Sequence, residues 1–268
     1  YSSAASDVYK RQPRRFSQDA PVTKTDNAWY WGFFVQDDFR VHPQLTLNLG
    51  LRYDLQLPML DPQDRKMTFI AGRQSKVVPT APVGLLFPGD EGVGRGVIAA
   101  DKNNFGPRLG LAWDPFGDGK TSIRGAFGVF YGSISGNEWN GTADRQPFAI
   151  RQTFNNPGTF SDPYRNEPGG VPPFPYEYTP ANPRFIAPAS IGPVSLDFRW
   201  PYTFQANFSA QRQVTREVSL TAAYVSALGR KLPFKPDINP PVYRPGATSA
   251  NLEQRRPYLP GVLSSIGL

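Results

Sequence analysis

A chain of 268 residues with 29 prolines and 25 glycines leaves few stretches where a helix could run uninterrupted, so the composition points to an all-β protein with long loops. The absence of cysteine excludes disulfides, thiol catalysis and Cys-ligated metal, and the single histidine, His42, sits beside a proline in a turn and offers no multi-His centre. A net charge of +7 comes from scattered Lys and Arg without the basic run of a nucleic-acid module, so no nucleic-acid partner, enzyme chemistry, cofactor or metal is expected.

The first twelve residues, "YSSAASDVYKRQ", fit nothing that follows. Their last six resemble the read-through translation of a transposon-end adapter, so residues 1–12 are set aside as an expected assembly artefact and residues 13–268 are read as the protein.

The first predicted hairpin runs over residues 29–41, turns at His42-Pro43-Gln44 and returns over 45–57. In the return strand Leu45, Leu47, Leu49, Leu51, Tyr53, Leu55 and Leu57 alternate with Thr46, Asn48, Gly50, Arg52, Asp54 and Gln56. In the outward strand Trp29, Trp31, Phe33, Val35, Phe39 and Val41 hold the odd positions. A three-residue turn would pair Val41 with Leu45, Phe33 with Tyr53 and Trp31 with Leu55, which puts both apolar sets on one face.

The second hairpin is predicted over 105–114 and 121–132, with turn chemistry at Asp118-Gly119; Leu109, Leu111 and Trp113 face with Ile123, Phe127, Val129 and Tyr131. The third covers 202–214 and 218–232 around Thr215-Arg216-Glu217, with Tyr202, Phe204, Ala206, Phe208, Leu220, Ala222 and Tyr224 on the apolar side. Between the hairpins run long Pro- and Gly-rich connections, roughly 58–104, 133–201 and 233 onward, read as structureless loops that argue against a compact soluble domain. The last segment, "RRPYLPGVLSSIGL", offers neither a terminal strand nor a polar tail, so the chain is expected to be an internal piece of a longer protein.

Several sharper motifs fail on context. "GDGKT" (117–121) lacks the first glycine of a phosphate-binding loop and precedes a strand, so it reads as a hairpin turn. "GVGRG" (92–96) has no strand–turn–helix setting. Asp37 and Asp38 are neighbours on a strand and point to opposite faces, which excludes paired-carboxylate catalysis. The sequons at Asn140 and Asn207 read as chance.

Two environments could take the apolar face: a protein core, as in a secreted or surface-attached β-sandwich adhesion module, or lipid. No apolar run of 18 residues exists, but a membrane barrel strand needs only about 9–11 alternating residues. Three features favour lipid. The strands are at least 10 residues long by this reading, longer than the usual five or six. Aromatics gather at strand ends: Trp29, Trp31, Tyr53, Tyr131 and Tyr202 by the loops, Phe39 and Trp113 by the turns. The charged exceptions on the apolar face, Asp37, Arg212 and Arg230, fall near strand ends, where a cation costs about 0–1 kcal/mol rather than the 2–4 of mid-bilayer. Short turns on one side and long loops on the other match an outer-membrane barrel. Six strands are fewer than the minimum of about eight that closes one, so a segment of an antiparallel transmembrane β-barrel is expected.

The stretches 33–54 ("FFVQDDFRVHPQLTLNLGLRYD"), 104–132 ("NFGPRLGLAWDPFGDGKTSIRGAFGVFYG") and 202–232 ("YTFQANFSAQRQVTREVSLTAAYVSALGRKL") resemble the barrel of TonB-dependent outer-membrane receptors, above all the Oar-like group. The segment 251–266 ("NLEQRRPYLPGVLSSI") resembles the lead-in to a further barrel strand of that group. The resemblance implies a full barrel of about 22 strands closed by a plug. It also implies energised uptake, or peptide or protein export, through contact of the plug region with the TonB complex; plug and TonB box are not in this sequence.

On this reading the lipid-facing and belt residues are Trp29, Trp31, Phe33, Phe39, Leu47, Leu49, Leu51, Tyr53, Trp113, Phe127, Tyr131, Tyr202, Phe204 and Tyr224. Asp38, Arg40, Arg52, Asp54, Arg108, Asp114 and Arg124 face the lumen, as an ion-pair network lining the wall or a substrate path. The aromatic and Asn-rich loop 133–178 is the candidate contact for an extracellular ligand.

Overall fold

The computed structural model describes residues 14–20, 23, 25–133, 136, 144–155, 157, 159, 161–165 and 174–266. Residues 1–12 and the Asn140 sequon lie outside them. No helix among these residues is long and apolar enough to cross a membrane, which says nothing of strands.

The period-2 segments form one antiparallel six-stranded sheet. Its strands are β2 (Tyr30–His42), β3 (Leu45–Gln56), β6 (Phe105–Trp113), β7 (Thr121–Tyr131), β10 (Tyr202–Gln213) and β11 (Ser219–Arg230). The order across the sheet, β11-β10-β7-β6-β3-β2, is a plain meander, so every sequence neighbour is a ladder neighbour. The sheet is not closed, and β2 and β11 are its edges.

The turns are built from local side-chain bonds. At the first, the structure corrects the predicted register by one residue: His42, not Val41, stands opposite Leu45, and a bulge lies between Arg40 and His42. Val41 is the extra residue, so the turn needs only Pro43-Gln44, and Phe33 still meets Tyr53 and Trp31 still meets Leu55. Arg40 Nη2 donates to the Pro43 carbonyl at 3.0 Å and closes this turn. At the second turn the Asp114 carboxylate accepts from the backbone N–H of Gly117 (3.1 Å) and Gly119 (2.9 Å). Gly117 and Gly119 take φ of 68° and 69°, a left-handed backbone that glycine adopts without steric cost. At the third, Thr215 Oγ1 accepts from Val218 N at 3.1 Å.

All three long connections leave the opposite end of the sheet, and they are not structureless. They carry β4 (Thr68–Phe69) paired with β5 (Leu85–Leu86), β8 (Arg151–Asn155), β9 (Ala189–Ile191), a 3-10 turn at Glu253–Arg255 and β12 (Leu263–Ile266). The segment before the first barrel strand, β1 (Arg15–Asp19), pairs with β8, and β12 pairs in parallel with β9. The stretch that resembled a lead-in to another barrel strand therefore ends, at 263–266, in the loop layer. The core lies there too: Met67, Val78, Leu85, Phe87, Phe148, Ile191, Leu263 and Ile266 pack together with almost no exposure. These apolar residues are scattered among prolines and glycines without a period, so no alternation announces them; they bury by converging from three loops.

Candidate functional site

The candidate site is the wall itself, and its geometry follows from register. β3 meets β6 as Leu47↔Leu111, Leu49↔Leu109, Leu51↔Pro107 and Tyr53↔Phe105. β6 meets β7 as Leu109↔Phe127 and Trp113↔Ile123, and β7 meets β10 as Phe127↔Ala206 and Tyr131↔Tyr202. β10 meets β11 as Phe204↔Leu228 and Phe208↔Tyr224. With Phe33↔Tyr53 of β2 and β3, each of the five strand pairings sets apolar residues opposite apolar ones on this face, so one parity error at any turn would have broken it.

That face is uncovered. Leu49 is 45% exposed and Leu109 51% although both lie on inner strands, and on the edge strands Phe33 is 59% and Tyr224 65% exposed. A β-sandwich would bury such residues under a second sheet, and among the described residues none lies over them. The residues predicted for this face are brought together on it. At its loop end Tyr53 packs on Phe105 (ring centroids 4.8 Å apart) and Tyr131 on Tyr202 (5.5 Å), with Trp29 stacked on Trp31. At its turn end Phe39 stands opposite Leu47 and Trp113 opposite Leu45, with Phe116 exposed beside them. Phe127 and Tyr224 are mid-strand and belong to neither row. Of the charged exceptions, Asp37 stands opposite Leu49, one step inside the Phe39 row. Arg212 lies at the turn end, donating to Thr121 Oγ1 at 2.7 Å with its guanidinium 5.0 Å from the Phe116 ring centroid.

The other face is polar but is not a continuous ion-pair network. Among the described residues it holds one ion pair, Arg52 Nε to Asp54 Oδ1 at 2.9 Å. Tyr30 completes the cluster: its hydroxyl donates to Asp54 and accepts from Arg52 Nη2 at 2.6 Å. Asp38 accepts from Asn48 Nδ2 at 2.5 Å. Arg124 Nε donates to Ser122 Oγ, and Arg40 is taken up by its turn. Asp114 is not part of this surface chemistry; its oxygens are used by the second turn, whose N–H groups would otherwise lack partners.

Arg108 stands between Gly50 and Gly128 on the neighbouring strands, and its guanidinium lies 4.9 Å from the Phe130 ring centroid. The two glycines leave room for it. Around it an open depression of about 290 Å³ is lined by Gln36, Asn48, Gln205 and Asn207 among others. Sequence reasoning missed Tyr30, Phe34 and Phe130 here. Their signal was available: each is an aromatic residue out of phase with the apolar set of its strand.

The loop layer closes over the loop end of the sheet. Asp54 is 5% exposed, and its backbone N–H donates to the Asn104 carbonyl at 3.0 Å. Asp90 ties residues 75–90 together, accepting from Ser75 Oγ (2.6 Å) and from the N–H groups of Lys76 (2.7 Å) and Phe87 (2.8 Å). Burial opposes its ionisation, but these donors outweigh it and hold the carboxyl below the ordinary range. Burial pushes the Tyr178 phenol up to about 12. In the candidate ligand loop, Phe148, Phe154, Phe174 and Tyr176 are core residues rather than displayed ones; 137–143 and 166–173 lie outside the described residues.

No curated protein and no solved structure matches this chain. The family model described as "Outer membrane beta barrel domain" matches residues 2–267, nearly the whole sequence. An uncovered apolar face bounded by aromatic rows is the wall that such a family requires, and localisation to the bacterial outer membrane, in contact with its lipid, follows. The chain belongs to the outer membrane beta barrel domain family.

Proposed function

We propose that this wall is part of a TonB-dependent receptor of the Oar-like group. In this reading the long loops face outward and the three short turns face the periplasm. The odd-numbered leucines of β3 face lipid, and the Tyr30–Arg52–Asp54 cluster with Arg108 faces the lumen. The chain supplies wall and outer loops for energised uptake, or for peptide or protein export, and performs no catalysis of its own. Further strands of the same polypeptide pair with β2 and β11, because an unpaired edge in hydrocarbon costs several kcal/mol for each free backbone group.

The observation that carries the receptor reading is the combination of a lipid-compatible wall with a loop layer that has its own core. A plain pore needs the first and not the second. The three stretches that resemble the TonB-dependent barrel supply the finer assignment.

The test is binding of the full-length protein, in detergent, to the periplasmic domain of TonB. Saturable binding is expected, and no binding sinks the assignment. Orientation is read separately. This sequence holds no cysteine, so Ser249→Cys in the last loop is a single reporter once any cysteine elsewhere in the full polypeptide is replaced. It should react with an impermeant maleimide on intact cells, and protection there reverses the orientation.

A further inference from the structure

Arg230 is the last residue of β11 and stands opposite Tyr202, so the register puts it on the apolar face at the loop-end aromatic row. Strand alternation would send the next side chain, Lys231, to the polar face. It does not go there. Lys231 takes a left-handed backbone, φ 49°, and its Nζ lies 5.6 Å from the centroid of the Tyr202 ring. A non-glycine residue adopts that backbone at a steric cost, and such residues cluster at ligand clamps and other functional sites. Two consecutive cations that a regular strand would separate thus share one rim, both exposed.

Their other contacts leave the charge unneutralised. Arg230 Nη1 donates to the Gly229 carbonyl at 3.1 Å. Among the described residues neither cation forms an ion pair with a carboxylate. The rings of Tyr131 and Phe204 pack on Tyr202, 5.5 and 5.3 Å away, and hold the platform in place. Arg212 at the opposite rim differs in standing between Gln211 and Gln213 with no cation beside it in sequence; its guanidinium meets Thr121 and Phe116.

Adjacent cations on an aromatic rim of a lipid-exposed face are complementary to an anionic headgroup at membrane-surface depth. We propose that Arg230 and Lys231 form a binding site for the phosphate of a phosphorylated lipid in the outer leaflet, with the Tyr202 ring positioning the Lys231 ammonium. The proposal rests on the outward orientation of the loops given above, which Ser249→Cys labelling tests independently.

The experiment reconstitutes the full-length protein into phosphatidylcholine nanodiscs that contain either bisphosphorylated lipid A or its dephosphorylated form. Retained lipid is then counted by native mass spectrometry. Preferential retention of the phosphorylated form is expected. Arg230→Gln and Lys231→Gly should each weaken it by about fivefold, while Arg212→Gln leaves it unchanged. Glycine suits the left-handed backbone at 231, so loss of binding in Lys231→Gly cannot be ascribed to a broken fold. Equal retention of the two lipids, or an undiminished preference in both rim variants, overturns the site. Inorganic phosphate retained more strongly than phosphorylated lipid A, with the same loss in both rim variants, overturns the lipid as its ligand.

Discussion

Arg52 and Asp54 are two residues apart on β3, so they lie on the same face, and the guanidinium Nε meets the carboxylate at 2.9 Å while Tyr30 from the neighbouring strand bonds both. Asp54 is buried and Arg52 partly exposed, so the carboxylate is the member whose loss leaves donors stranded. Asp54→Ala is expected to destabilise the wall by about 1–3 kcal/mol, and Tyr30→Phe by about 1 kcal/mol. Urea unfolding of the protein in phosphatidylcholine vesicles measures both, and equal midpoints for Asp54→Ala and wild type would contradict the role of the cluster.

The assignment of the two faces predicts an asymmetry between adjacent residues. Leu49 is on the apolar face and Asn48 on the polar one. Leu49 stands opposite Asp37, one step inside the turn-end aromatic row, so Leu49→Arg should cost about 1–2 kcal/mol, between the interfacial and mid-bilayer values, and Asn48→Arg much less. The fraction of protein reaching the outer membrane, read by heat-modifiable gel mobility, checks this. Equal effects would exchange the assignment for some other use of the apolar face.

Backbone approach makes a separate prediction. A Cβ at Gly106 would come within 2.7 Å of the Val129 carbonyl oxygen, whereas one at Gly50 would meet Arg108 Cβ at 3.5 Å, an ordinary contact. Gly106→Ala is expected to destabilise the sheet by about 1–3 kcal/mol through overpacking, with Gly50→Ala close to neutral. Their unfolding midpoints compare the two directly.

The loop layer should fail independently of the wall. Leu263 is fully buried in the loop core, and Leu263→Ala should cost about 2–5 kcal/mol there. Protease sensitivity of the loops should rise while the heat-modifiable mobility of the barrel stays unchanged. Simultaneous loss of both would show one cooperative unit.

Acid should release part of the same layer. The Asp90 carboxyl is held below its ordinary value, so its stabilisation is fully present above the unfolded-state pKa of about 3.9. It is lost as the pH falls further, through the lower folded-state value. Amide exchange at Lys76 and Phe87, corrected for intrinsic rates, should rise in that window, and Asp90→Asn should show the faster exchange already at neutral pH.

The wall was legible in the sequence because alternation and short turns fix parity, and parity fixes which residues share a face. Leu45 through Tyr53 needed no further information. The Val41 bulge was not legible: one extra residue at a turn leaves the alternation beyond it intact. Asp114 was misplaced for a related reason. It continues the polar phase of β6, but the turn that follows has N–H groups to satisfy, and the nearest carboxylate satisfies them. The loop layer was hidden because its core is assembled from residues such as Met67, Phe148 and Leu263, separated by up to two hundred positions and carrying no period. The aromatics that suggested a ligand loop were in large part the material of that core.

The parallel pairing of Ala189–Ile191 with Leu263–Ile266 joins the segment that precedes the third hairpin to the segment that follows it. Both partners lie at the loop end of the sheet because the β10–β11 hairpin between them runs to the turn end and returns. The pairing thus closes a ring of chain around that hairpin, and closing so long a loop costs entropy that only the packed loop core offsets. Cutting the chain within the hairpin turn at 215–217 should therefore loosen the loop layer as well as the sheet.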